Sequence, residues 1–146
     1  MSRGYETFEH TADIGIRAWG GEFAEVFEEA AKALFSVMVD LESVSVRQKV
    51  KIELSENSGE ELFLAWLKEL LFTFETQHLL FCEFKILDLG SHSSQDGAFK
   101  LTAEAGGEPI DDKKHILGRE VKAITLHQFK LAKDKSRYLA EVILDI

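Results

Sequence analysis

Residues 5–16, with the sequence YETFEHTADIGI, predict two β-strands joined by a tight turn. Apolar residues at every second position from Ile14 to Ala18 have the period of a strand, and the run from Tyr5 to Glu9 has a similar strand-like character. His10 and Asp13 add an imidazole and a carboxylate to the turn. This concentration of reactive groups makes the turn the first candidate for a functional site.

Two amphipathic helices are predicted where the hydrophobic pattern changes to the period of a helix. Residues 22–38 place apolar side chains at i, i+3, i+4 and i+7 and acids on the opposite face. The second helix is predicted over residues 60–76, after Ser58 and Glu61, which have the spacing of a capping box. Apolar residues cover most of this second helix, which favours a central buried helix over a surface that meets another protein.

Most of the remaining chain is predicted to form strands, and the fold class follows from their number. Further alternating runs cover residues 47–54, 79–89, 98–105, 120–130 and 138–144. Polar loops are predicted at residues 90–97, expected to be the most mobile, and at residues 106–115. About seven strands and two helices predict a single α+β domain over residues 1–146. We expect a mainly antiparallel or mixed sheet, curved or sandwich-like, with both helices packed on it.

Composition and charge exclude several classes of protein. The sequence has 146 residues, of which 45% are hydrophobic, which is enough for one core. It has no run of about 18 apolar residues and no signal peptide, so a cytoplasmic protein is expected, or a nuclear one in a eukaryote. The formal net charge of −9 makes direct nucleic-acid binding unfavourable, because such binding needs Lys and Arg to neutralise phosphates.

The common catalytic motifs are absent from this sequence. Cys82 is the single cysteine and lies among apolar residues, which predicts a buried, inert thiol and excludes an intramolecular disulfide. The sequence contains no phosphate-binding P-loop, no Gly-x-Ser-x-Gly elbow, no Cys-x-x-Cys pair and no His-Glu-x-x-His helix. It therefore offers no visible catalytic machinery of its own.

The end of the sequence supplies further carboxylates. The alternation of the last predicted strand places Asp145 away from the apolar face, and the α-carboxylate of Ile146 follows it. If the fold brings the two ends together, Asp13, Asp145 and Ile146 would offer oxygen ligands to a hard divalent cation. Taken singly, Asp13 is equally explained as a turn former and His10 as a packed strand-end residue. Asp145 is equally explained as a solvated carboxylate.

A second candidate group lies in residues 120–127, with the sequence EVKAITLH. Lys122 is either solvated, a counter-ion to nearby carboxylates, or a group that reaches a phosphate. His127 is a lone imidazole on its own evidence.

Six segments in order resemble the archease family, and together they span nearly the whole chain. They are residues 8–16, 30–35, 66–72, 107–109 with His115, 120–127, and 142–146. Leu126 departs from the family pattern, because an aromatic residue is common at that position. The resemblance implies a non-catalytic protein cofactor, chaperone-like in character, which activates the RNA-splicing ligase RtcB in tRNA splicing. It implies that this partner promotes guanylylation and multiple turnover of the ligase and alters its nucleotide specificity.

The resemblance also implies roles for individual residues. A divalent metal ion, calcium, magnesium or manganese, would be bound by Asp13, Asp145 and Ile146. Lys122 matches a position important for activating the ligase, together with Asp13, while His10 and His127 carry over as neighbours of the site. Two alternatives remain open at this point: a stand-alone metal-dependent hydrolase of phosphoesters or nucleotides, and a chaperone that binds tRNA directly.

Overall fold

The computed structural model describes residues 2–91 and 98–146, and within them it contains two α-helices and eight β-strands. In chain order these elements are β1 (Gly4–His10), β2 (Asp13–Gly20), α1 (Phe23–Met38), β3 (Gln48–Glu56), α2 (Gly59–Gln77), β4 (Leu79–Ser91), β5 (Phe99–Pro109), β6 (Ala123–Ile124), β7 (Lys130–Asp134) and β8 (Arg137–Asp145). A short 3-10 turn, Leu41–Ser43, follows α1. Of the loop predicted at residues 90–97, residues 92–97 lie outside the described residues.

The strands form two separate antiparallel sheets. The first has the order β1-β2-β8-β6, and β7 also pairs with β8. The second has the order β3-β5-β4. The predicted α+β class is confirmed, with eight strands in the described residues where about seven were expected, and with every strand pair antiparallel.

Both predicted helices form and supply about half of the buried core residues. The buried face of α1 includes Phe27 and Phe35, and that of α2 includes Phe63 and Trp66. The indole N–H of Trp66 donates to the main-chain oxygen of Phe27 at 2.9 Å, which satisfies a buried polar group at the centre of the core. The burial of α2 confirms the prediction of a central helix.

The two helix starts differ from the predicted capping. Glu22 and Glu25 form a complete capping box at the start of α1, which the sequence pattern did not identify. At the start of α2, Ser58 Oγ accepts from the Glu61 N–H at 3.1 Å, as predicted. The Glu61 carboxylate instead accepts from the Asn57 N–H at 3.3 Å, one residue before the cap.

Residues 106–109 were predicted to be a loop, but they form the end of β5. Gly107 pairs with Gln48 on one side and with Phe81 on the other. A Cβ at Gly107 would lie 1.8 Å from the main-chain oxygen of Leu80, so the strands approach closely because this residue is glycine. A Gly- and Pro-rich composition predicts a loop, but the two neighbouring strands supply partners for the main chain here.

Residues 120–130 were predicted to form one strand, and this is wrong. Only Ala123–Ile124 pairs with β8 at that point, and the chain pairs with β8 again at Lys130–Asp134. Between them Gln128 adopts a φ of 54°, and the Phe129 N–H donates to the Leu126 oxygen at 3.1 Å. The left-handed residue and this turn interrupt the alternation, so the segment leaves the edge of β8 and returns to it.

Two further observations concern expectations from composition. Cys82 is half-buried rather than buried, since it lies at an irregularity in the pairing of β4 with β5. Partial burial nevertheless raises the pKa of its thiol, which disfavours the reactive thiolate. In the described part of the chain, neither helix has the length and apolar character needed to cross a membrane.

Candidate metal and partner site

Pairing of β2 with β8 brings the turn after β1 to the end of the sequence. Ile14 pairs with Leu144 in an antiparallel register, so Asp13 and Asp145, the next residues along each strand, come opposite each other. Leu144 is fully buried, whereas Asp145 is exposed and Asp13 is half-buried. The two carboxylates predicted to meet are therefore on neighbouring strands, on the face of the sheet away from the core.

A small pocket joins Asp13 to Ile146. Its volume is about 140 Å³, and Glu9, Thr11, Ala12, Asp13, Ile14, Arg119 and Ile146 line it. Asp145 is not among the lining residues. Arg119 and Glu9 were not predicted as site residues. The alternation of β1 placed Glu9 next to the turn. Nothing in the sequence pattern indicated Arg119, which is more than 100 residues from Asp13 along the chain.

Lys122 lies at the same edge of the sheet. Its main-chain N–H donates to the main-chain oxygen of Asp145 at 2.7 Å, and the next residue, Ala123, pairs with Asp145 in β6. The side chain of Lys122 is exposed and makes no ion pair with any residue of the described ranges 2–91 and 98–146. Its ammonium group is therefore available to a ligand or a partner beside the acidic residues.

His10 and His127 also come together. Their ring centroids are 5.5 Å apart in an edge-to-face arrangement. His10 Nε2 lies 3.0 Å from Gln128 Oε1, within hydrogen-bonding distance. His10 Nδ1 is buried and has no hydrogen-bond partner among the described residues.

Two residues around the site have left-handed backbone conformations. Thr11 has a φ of 53° in the turn closed by the pair His10 and Asp13, and Gln128 has a φ of 54° in the loop that contacts His10. A β-branched residue such as Thr11 rarely adopts this conformation, because its side chain crowds the main chain. Such strain is concentrated at functional sites in proteins generally.

The oxygen donors at this edge are of the chemical kind that divalent cations prefer. Asp13, Asp145 and the main-chain oxygen of Ile146 are hard oxygen donors, which calcium, magnesium and manganese prefer. In the ranges 2–91 and 98–146 no cluster of three or more His, Cys, Asp or Glu side chains is arranged to hold a metal ion. The protein would therefore supply two or three oxygens, and water would complete the coordination shell.

A second polar cluster, around Glu108 and His115, has a structural role. The Glu108 carboxylate accepts from Lys114 Nζ at 2.7 Å, from the Ser45 N–H at 2.8 Å and from His115 Nε2 at 2.9 Å. His115 Nδ1 accepts from the Asp111 N–H at 2.9 Å. These contacts, with Lys114 first, lower the pKa of Glu108 to about 2. The cluster ties the segment after β5 to the segment before β3.

Comparisons with known proteins cover almost the whole chain. A family model described as the archease protein family matches residues 5–146. A protein archease from Methanopyrus kandleri is 35% identical over 142 residues, which are 97% of this chain and 99% of that protein. A protein archease from Pyrococcus furiosus is 37% identical over 145 residues, which are 99% of each.

Solved structures agree with the fold described above. The solution structure of a Methanobacterium thermoautotrophicum protein is similar with a TM-score of 0.85 and 37% identity, covering 98% of this chain and 99% of that one. A crystal structure from Thermotoga maritima, described as an archease, possible chaperone, is similar with a TM-score of 0.60 and 19% identity. That match covers 97% of this chain and 96% of the other, and at this identity it supports the fold alone.

Proposed function

The chain belongs to the archease family, and we propose that it is a non-catalytic protein cofactor that activates the tRNA-splicing RNA ligase RtcB. One observation supports this proposal most. The pairing of β2 with β8 gathers Asp13, Asp145 and Ile146 at one edge of the sheet, with the exposed Lys122 beside them. These are the residues to which the family resemblance assigns metal binding and activation.

The proposed mechanism uses the acidic edge as the surface that meets the ligase active site. Asp13, Asp145 and Ile146 would hold a divalent metal ion through oxygen atoms. When bound, the ion supplies positive charge that orients nucleotide phosphates and polarises them. Lys122 would contact a phosphate oxygen through its exposed ammonium group, because no described residue pairs with it.

His10 has a positioning role in this mechanism. A hydrogen bond between its Nε2 and Gln128 holds the ring next to the turn that carries Asp13. His127 packs against the His10 ring and restricts its rotation. The net charge of −9 favours a partner with a basic surface over direct contact with RNA.

The decisive experiment measures guanylylation of the purified ligase by GTP, and multiple-turnover ligation, with and without this protein. We expect Asp13→Ala to abolish the stimulation while circular dichroism shows a folded protein. Asp134→Ala is the matched control, because Asp134 is exposed at the far end of the β7–β8 pair. Wild-type stimulation by a folded Asp13→Ala protein would refute the site.

Metal binding has an independent readout in the isolated protein. Titration calorimetry with calcium, magnesium and manganese should detect a site that Asp13→Ala removes and Asp134→Ala retains. The same preparations test the two alternatives. Turnover of a phosphoester by the isolated protein, lost in Asp145→Ala, would establish a hydrolase instead. Salt-sensitive binding of tRNA by the protein alone would establish an RNA chaperone.

A further inference from the structure

We infer that an apolar groove next to the acidic site is a docking surface for a bulky apolar side chain of the ligase, an inference that rests on the proposed function. The groove is defined by Met38, Phe74, Ile110 and Leu117 and is bordered by Gly118, Arg119 and Glu120. Its volume is about 270 Å³, which is enough to take a large side chain. It lies outside the residues to which the family resemblance assigns a role.

Exposed apolar side chains form the rim of this groove. Leu117 is 48% exposed and Ile110 is 36% exposed. Met38 is buried and Phe74 is half-buried, so the groove has a packed apolar floor. Single exposed apolar residues are ordinary on protein surfaces, but a cluster of them around a concave surface is typical of a binding site.

The exposed residues are held on a rigid segment. The Ile116 oxygen accepts from the Asp40 N–H at 2.8 Å, and the Gly118 N–H donates to the Met38 oxygen at 2.7 Å. The Arg119 N–H donates to the Val37 oxygen at 2.8 Å. These bonds fix the main chain against the end of α1, so the exposure of Ile116 and Leu117 is part of the folded structure. A surface that is ordered before binding loses less entropy when a partner docks.

The groove is continuous with the proposed partner site. Arg119 lines both the groove and the pocket that contains Asp13 and Ile146. Three residues further along the same segment, Lys122 stands beside Asp145. Because Arg119 borders both surfaces, a ligase that engages the acidic edge would lie next to the groove, and on this ground we assign the groove to the ligase.

Charge defines the chemistry of the docking segment further. The guanidinium of Arg119 makes no ion pair with any residue in the described part of the chain, so it is free to pair with a carboxylate of the partner. The segment that docks is thus expected to carry a bulky apolar side chain with an acidic residue next to it. This arrangement would set the register of the complex and bring the acidic edge to the ligase active site.

The test compares two substitutions of equally exposed leucines. Leu117→Asp places a charge at the groove, and Leu87→Asp is the control, because Leu87 on β4 is also 48% exposed but does not line the groove. Titration of the ligase with each protein measures the dissociation constant. We expect Leu117→Asp to raise it by about tenfold or more and Leu87→Asp to leave it unchanged. At saturating concentration the Leu117→Asp protein should still stimulate guanylylation, since Asp13 and Lys122 are intact.

Each outcome separates this inference from the proposed function. Wild-type affinity of Leu117→Asp, together with lost stimulation in Asp13→Ala, would overturn the docking surface and leave the function standing. Failure of the wild-type protein to bind or stimulate the ligase would overturn both. Self-association that Leu117→Asp abolishes would show that a second copy occupies the groove. Ile110→Asp gives a second variant, with the same expected result, if Leu117→Asp does not fold, because Ile110 also lines the groove and is exposed.

Discussion

Substitution of Gly118 by alanine should loosen the segment that carries Arg119 and Lys122. A Cβ built on Gly118 would lie 2.4 Å from the main-chain oxygen of Val37, while ordinary contacts begin near 3.4 Å. The obstacle is a main-chain atom at the end of α1, which no side-chain rotation can remove. The peptide at Gly118 must therefore withdraw from α1 by about 1 Å, the difference between those two distances.

The magnitude follows from the two hydrogen bonds that this movement breaks. The bonds from Gly118 to Met38 and from Arg119 to Val37 are 2.7 and 2.8 Å long, so a withdrawal of about 1 Å takes both beyond hydrogen-bonding distance. Each such bond contributes about 0.5–1.5 kcal/mol, and the two together about 1–3 kcal/mol. Alanine also restricts the unfolded chain, which offsets about 0.4–1 kcal/mol of this loss. We expect the free energy of unfolding to fall by about 1–2 kcal/mol.

Urea unfolding followed by tryptophan fluorescence measures this change, because Trp66 is fully buried. For a small domain with an m-value of about 2 kcal/mol/M, the midpoint should fall by roughly 0.5–1 M. Gly90→Ala is the matched control, since a Cβ at Gly90 meets no atom of the described residues within 4 Å. Equal unfolding free energies for Gly118→Ala and Gly90→Ala would refute the steric argument and the rigidity assigned to this segment.

Two further predictions test the interior of the fold. The pKa of Glu108 is lowered to about 2 from 4.5, so the stability it contributes is complete above pH 4.5 and is lost as the pH falls toward 2. The difference in thermal midpoint between wild type and Glu108→Gln should therefore become smaller as the pH is lowered from 5 to 2. A difference that does not change with pH would contradict this. Trp66→Phe removes the donor to the Phe27 oxygen and buried volume, and should lower the free energy of unfolding by about 2 kcal/mol in chemical denaturation. Trp19→Phe, at a half-buried position, should cost less than about 1 kcal/mol, and equal losses would contradict the assigned role of Trp66.

Hydrophobic periodicity correctly predicted the helices and strands that bury either one continuous face or their whole surface. α1 and α2 form within one or two residues of the predicted limits, as do β1 and the last strand, β8. Prediction failed in two segments. Composition predicted a loop at residues 106–109, which form a paired strand, and alternation predicted one strand at residues 120–130, which is interrupted. In both segments the outcome depends on which neighbouring strand offers main-chain partners, and that information is not local.

The candidate site divides in the same way. The carboxylates of Asp13 and Asp145 suggested an oxygen-rich site, but each residue alone was equally well explained by an ordinary turn or a solvated face. The register of β2 against β8 places Asp13 opposite Asp145 across more than 100 residues of chain. Arg119 lines both the pocket beside Asp13 and the apolar groove because main-chain hydrogen bonds hold its segment against the end of α1.

The sequence by itself determined the helices, most of the strands, the acidic charge and the oxygen-bearing residues that we propose as cation ligands. It did so because hydrophobic periodicity and side-chain chemistry are local properties of the chain. Only the tertiary structure decided that the first turn meets the last strand, that Gly118 lets its segment lie against α1, and that an apolar groove adjoins the acidic edge. Those features depend on main-chain hydrogen bonds and close contacts between distant segments, which no local pattern contains.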